Sequence, residues 1–399
     1  MRVAIGPLWG YYVGWCEAIQ NIFYISVTIL TFGQVLCEIF QLSSDFQPFF
    51  WIFFFVTAFP LNFTTRQWFW RIITIFGMTT LLIILLYIFI SIPNFDFQAN
   101  AKSILSPIDN SSTFVSRILS NFAYVSWMFI GSEYMSVVCR DVIKPRQQIP
   151  HAMSIGIVSL VITGAVVFLM VSSTSPGIFH NAHALLPLNT GFAKAFHLSY
   201  LQASWFSVPA IYSTGLGFFV VCGRQISAMS RSGLVPSWSP LTKTPTAANT
   251  MTSSSAEENI SPLIGLSISA VSALVIMTVM HFCFPEDYTI LQDICLLSSY
   301  VHYIFLLMSY LVAQKRYSLL ERVYYSPFGW TGAMTGLLLF LVGIVSIVGF
   351  RERVNYAVEA FVGMSVMLFV LYFCNVQQRQ SFSLDEQRNL FAAYLINGK

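Results

Sequence analysis

Spaced by its apolar and polar positions, the chain resolves into ten long apolar runs joined mostly by short polar connections. The runs lie at 9–36, 46–63, 70–92, 116–137, 151–173, 203–231, 263–284, 288–313, 328–350 and 354–376. Each is near the ~20 residues that carry a helix across a hydrocarbon layer. The second is the shortest, which fits a tilted or partly buried helix. Three connections are longer, 93–115, 174–202 and 232–262. Residues 242–261 within the last are Ser/Thr-rich and aperiodic, which predicts a disordered loop over 232–262. After residue 376, Ser383 is followed three positions later by Glu386, a capping-box pattern. Leu384, Leu390, Phe391, Tyr394 and Leu395 then predict a short amphipathic helix in a tail over 377–399.

Composition turns this pattern into a class. The 399 residues are 56% hydrophobic and 9% charged, with 37 phenylalanines, against about 25% charged residues in globular chains. A soluble core cannot hide that much apolar surface, so the fold class is an all-α integral membrane protein. With the N-terminus placed in the cytoplasm, 15 of the 20 Lys and Arg residues fall on the inner side. That asymmetry orients the chain with both termini cytoplasmic. Met1-Arg2-Val3 runs almost directly into a span, with no cleavable leader pattern. Asn110-Ser111-Ser112 is then an outward-facing glycosylation acceptor. The seven cysteines show neither CxxC nor metal-ligand spacing and read as small core residues.

The stretch from Asn121 to Pro150 carries the most chemistry. It opens as an apolar helix and holds one carboxylate, Glu133, directly after Gly131-Ser132. It leaves through Arg140-Asp141 and Lys144-Pro145-Arg146, closed by Pro150. An acid in an apolar span is costly in lipid and faces a cavity or a partner. Gly131 and Ser132 are poor helix formers, so the helix can break there, and freed backbone groups at membrane depth are tolerated where they line a cavity.

In the first span Glu17, Gln20, Asn21, Tyr24, Thr28 and Thr31 share one helix face. Two readings stay open for this stripe, a cavity wall and helix–helix hydrogen bonding, with Glu17 the strongest candidate. Residues 72–90 hold no ionisable group. Arg224 and Arg231 sit seven apart at a helix C-terminus, followed by Gly233 as a left-handed cap and Pro236 as a stop. The eighth span places Asp293 near its outer end, beside Glu286 and Asp287, and Ser298, Ser299, Tyr300, His302 and Tyr303 deeper in. His302 is a candidate proton carrier, since free histidine titrates near about 6.5; the plainer reading is a hydrogen-bonded structural residue. No phosphate loop, metal cluster or basic–aromatic interleaving is present, which argues against nucleotide, metal and nucleic-acid partners. The pattern carries no signal for oligomeric state.

Phe129-Ile130-Gly131-Ser132-Glu133 followed by Cys139 to Pro150 resembles the sixth-helix signature of the amino acid–polyamine–organocation permeases. Gly223 to Pro236 resembles the end of that family's eighth helix, and Gly6 to Trp15 the start of its third. Glu17 and its neighbours lean toward the ethanolamine-permease branch. The resemblance covers essentially the whole chain.

It implies helices three to twelve of a five-plus-five inverted-repeat fold, a permease domain over 1–376, and a chain that lacks the family's first two helices. It implies a multi-pass secondary transporter, not an enzyme, in the plasma membrane, moving an amino acid or small amine by alternating access around a break at 127–133. Implied substrate-binding residues are Trp127, Phe129, Ile130, Gly131 and Glu133, with Glu17 added from the polar stripe. Glu133 and His302 are the coupling candidates for H+ or Na+, with no other cofactor. The family's usual second acid is replaced by Cys139-Arg140, which leaves Asp141 alone, and the lysine some members carry in the fifth helix is absent from 72–90. The alternative, from another class, is a truncated, non-transporting paralogue that acts by membrane interaction.

Overall fold

In the computed structural model the chain is described except at 63–65, 102–113, 138, 178–180, 182–183, 236–254, 285–287, 317–323, 352–353, 381, 383–386, 389–390 and 392–399. The capping box at Ser383 and the acceptor at Asn110 lie outside the described residues, as do Pro236, Glu286 and Asp287. Among the described residues there is no strand. Ten main helices follow in order: α1 Pro7–Phe40, α2 Gln47–Leu61, α3 Arg66–Ser91, α4 Phe114–Ser126, α5 Pro145–Ser173, α6 Val208–Arg231, α7 Ser255–Cys283, α8 Thr289–Arg316, α9 Gly329–Phe350 and α10 Val354–Leu371.

Eight of the predicted runs are helices long and apolar enough to cross a membrane. The other two are α2, 15 residues long, and α4, 13 residues long, which stops inside its run. α5 begins at Pro145 and carries Pro150 inside it, where the sequence suggested that Pro150 closes the preceding segment. Proline at the first helical position forfeits no hydrogen bond, so Pro145 starts the helix, and a proline one turn further in costs one bond without ending it. α7 begins at Ser255, inside the connection expected to be disordered up to 262.

The described chain divides into two compact units. The first comprises Met1–Tyr24, Phe114–Ala152 and Phe219–Lys399. Its core joins α4, α8 and α9 through Ala123, Leu296, Leu297, Tyr300 and Ile347. Two contacts fix the α4–α9 approach: the Ala123 N–H donates to Ser346 Oγ (3.3 Å), and Ser346 donates to the Leu119 carbonyl. Gly343 lets the Tyr300 ring come close: a Cβ there would sit 2.6 Å from it. α6 meets α7 through Gly223 and Gly265, where a side chain on Gly265 would run into the Gly223 carbonyl. Small residues at a helix crossing are the membrane solution to close packing.

The second unit comprises Ile25–Thr113 and Met153–Phe218. Phe32, Phe54 and Tyr212 pack together, and the Tyr212 hydroxyl donates to Thr57 Oγ1 (3.0 Å). A second nucleus forms around Tyr87, Phe192 and Ala203. α3 and α5 present almost their whole surface outward, so their apolar side chains are the ones that meet lipid.

Candidate functional site

The break falls where the sequence suggested it. After α4 ends at Ser126, Trp127–Phe129 form a 3-10 turn and Ile130 is extended. Gly131 takes the left-handed conformation (φ 103°, ψ −9°), and Ser132–Ser136 resume as a 3-10 turn. Only glycine enters that region without a Cβ penalty.

The break is tied by Glu133, a buried side chain at 9% exposure. Its Oε2 accepts the Gly131 N–H (3.0 Å). Its Oε1 accepts from Gln20 Nε2 (2.9 Å), and the same amide donates to the Tyr134 hydroxyl (2.7 Å). Buried carboxylates persist where donors satisfy them, and the Gln20 donor joins the break to α1. Trp127 stacks on Tyr24 of α1, with ring centroids 4.5 Å apart and planes 7° from parallel. Trp127 and Ile130 also pack against the α4–α8–α9 core. Phe129 is half-buried.

A second group lies one turn earlier on α1. Glu17 Oε2 accepts from Gln225 Nε2 of α6 (2.5 Å) and stands 3.9 Å from His302 Nδ1 of α8. His302 is therefore not a lone intramembrane histidine. Glu17 and Gln225 line a cavity of about 610 Å³, walled also by Gly10 and Gly14 of α1, Ser136 and Val137 after the break, and Arg224 and Arg231 of α6. At its edge Asp141 and Arg224 form an ion pair (2.7 Å). Asp141, the one acid left of the family's usual pair, is thus partnered from a motif far away in sequence. A larger cavity of about 1010 Å³, lined by Val3, Leu306, Tyr310, Tyr324 and Phe328, contains none of the predicted site residues.

The two open readings of the α1 stripe each hold for part of it. Glu17 faces a cavity, whereas Gln20 and Tyr24 make helix-to-break contacts and Thr31 bonds its own helix carbonyl (3.0 Å). Asp293, at 5% exposure, pairs with Arg351, whose guanidinium lies 3.6 Å over the Tyr124 ring. Four cysteines are buried, but Cys139, Cys283 and Cys374 are exposed, contrary to the core reading. Cys139 lines the cavity of about 610 Å³, and exposure costs a thiol little, because it behaves as a small, weakly polar group. Gly233 does cap α6 in the left-handed region (φ 66°), with the Leu234 N–H on the Met229 carbonyl (3.0 Å).

Gln225 and Tyr134 were not singled out from sequence. Gln225 lies inside the run Gly223 to Pro236, whose residue order is more specific than a helix terminus requires. Tyr134 carries no signal beyond adjacency to Glu133.

A model of the amino acid permease family matches residues 1–373 of the chain. No curated protein sequence matches it.

Proposed function

The chain belongs to the amino acid permease family, and from that premise we propose that it is a secondary active transporter of an amino acid or small amine. The family points to a transporter rather than an enzyme. The observation that carries the reading is the break at Trp127 to Glu133, with its left-handed Gly131 and its single carboxylate inside an apolar span. A discontinuous helix offers free backbone donors and acceptors to a substrate's charged groups, and one bundle of helices rocking around such a point gives alternating access. Trp127, Phe129, Ile130, Gly131 and Glu133 form one wall of the substrate site, with Glu17 at its inner mouth. Glu133 sets the shape of the break through Gly131 and Gln20, and an incoming ammonium competes for the same oxygens. In this reading both termini lie in the cytoplasm, which the excess of cations on one set of connections supports, and the host is the plasma membrane.

The test is exchange flux in proteoliposomes holding the purified full chain, loaded with a mixture of unlabelled standard amino acids and ethanolamine. The same mixture, radiolabelled, is offered outside. Saturable exchange that Glu133→Gln abolishes is the expected result. No exchange of any component removes the transport reading and favours a membrane interaction protein. Unchanged exchange and pH dependence in Glu133→Gln removes the role given to that residue.

A further inference from the structure

Glu17 and His302 meet in a way their hydrogen bonding leaves incomplete. His302 is 4% exposed and bonds the Val13 backbone. Its Nδ1 has no hydrogen-bond partner among the described residues. A neutral imidazole has one N–H. When Nδ1 carries the lone pair, it and Glu17 Oε2, 3.9 Å apart, are two acceptors with no proton between them. Two acceptors turned toward each other in a buried site repel, and one added proton converts the repulsion to attraction, as a protonated acid facing imidazole or as carboxylate facing imidazolium.

That proton has a route to water, since Glu17 lines the cavity of about 610 Å³. It also has a fixed seat: Gln225 Nε2 binds Glu17 Oε2 (2.5 Å) and the Gly14 carbonyl (3.3 Å), which holds the carboxylate beside the ring. The other ionisable groups facing the pair are Glu133 and Tyr134 from the break, Tyr303 beside the ring on α8 and Cys222 on α6. Arg224, already neutralised by Asp141, and Arg231 line the cavity. No lysine lines this cavity.

We propose that Glu17 and His302 together hold one exchangeable proton at the mouth of the cavity, and that substrate movement is coupled to loading and release of this proton. Hydronium in the cavity gives up H+ to a lone pair on Oε2 or Nδ1 and leaves as water; release reverses the step. The pair is one turn of α1 from Gln20, which holds Glu133, so the charge on the pair acts on the same helix that ties the break. This coupling rests on the transporter reading above.

The experiment separates the two. Proteoliposomes of the full chain, its Glu17→Gln variant and its His302→Gln variant are given the radiolabelled amino acid and ethanolamine mixture under two conditions. One is equal substrate on both sides, which reads exchange alone. The other is an outside pH one unit below the inside, which reads driven accumulation. A one-proton carrier concentrates its substrate about tenfold per pH unit. The expected result is accumulation in the unmodified chain, accumulation lost in both variants, and exchange retained in His302→Gln. Accumulation preserved in either variant, or exchange without accumulation in the unmodified chain, overturns the coupling and leaves the transporter reading standing. Absence of exchange in the unmodified chain overturns both. If Glu17→Gln is not recovered as a monodisperse protein, His302→Gln carries the same test, because either replacement removes one of the two proton acceptors.

Discussion

Gln20 donates one side-chain amide to two neighbours on the broken segment, the Glu133 carboxylate at 2.9 Å and the Tyr134 hydroxyl at 2.7 Å. Gln20 is fully buried, so water does not replace the lost donor when the amide is removed. Gln20→Leu is expected to lower stability by about 1–3 kcal/mol, the cost of a buried acceptor left unsatisfied. Thermal unfolding of the purified protein in detergent measures it. Glu133→Gln combined with Gln20→Leu is expected to cost less than the sum of the two single changes, because the residues share one interaction.

Gly131 is the backbone hinge of the same arrangement. Its φ of 103° is one that residues with a side chain rarely adopt. Gly131→Ala is expected to cost about 1–2 kcal/mol from the left-handed penalty alone. It is also expected to drive residues 127–133 toward helix, which withdraws the Gly131 N–H from Glu133. Exchange flux falls with it. Gly217→Ala, on a helix with open space at its Cβ position, is the control and leaves flux unchanged.

Asp293 and Arg351 form a buried ion pair, each side chain at 7% exposure. Removing one partner strands the other charge, and Asp293→Asn is expected to destabilise the protein by about 3–5 kcal/mol. Replacing both with leucine is expected to recover most of that loss, since the pair's attraction is largely offset by its desolvation. Comparison of the unfolding temperatures of the single and double variants checks this.

Gly343 admits the Tyr300 ring, whose hydroxyl bonds Ser126 at the end of α4. Gly343→Val places methyl groups where a Cβ alone would already be 2.6 Å from the ring. Overpacking of this kind costs about 1–3 kcal/mol. The change is also expected to reduce exchange flux through the displaced Ser126, and Gly349→Val, with open space at its Cβ, is expected to do neither.

Much of this was legible in the residues. The position of the break follows from Gly131-Ser132-Glu133 inside an apolar run, because glycine's freedom and the cost of a lipid-exposed acid act locally. The helices α1, α3, α5 to α10 follow from apolar length. What was not legible depends on tertiary partners. The partner of Asp293 is hidden in the sequence until the fold brings Arg351, 58 residues on, to it (351 − 293). His302 reads as solitary until α1 and α8 pack Glu17 beside it. The start of α7 was hidden because serine-rich composition suits a loop and a helix N-terminus equally.

The most direct test of the central claim, that substrate sits at the break, is protection of a cysteine placed there. Phe129→Cys is made in a chain whose exposed Cys139, Cys283 and Cys374 are serine, and is treated with a membrane-impermeant thiol reagent with and without the amino acid and ethanolamine mixture. The account predicts that the new cysteine reacts and that the mixture slows the reaction, while a cysteine at Ser159 on the outer surface of α5 is unaffected by the mixture. Reaction at Phe129→Cys at the same rate with and without the mixture, in protein that carries out exchange, would contradict it.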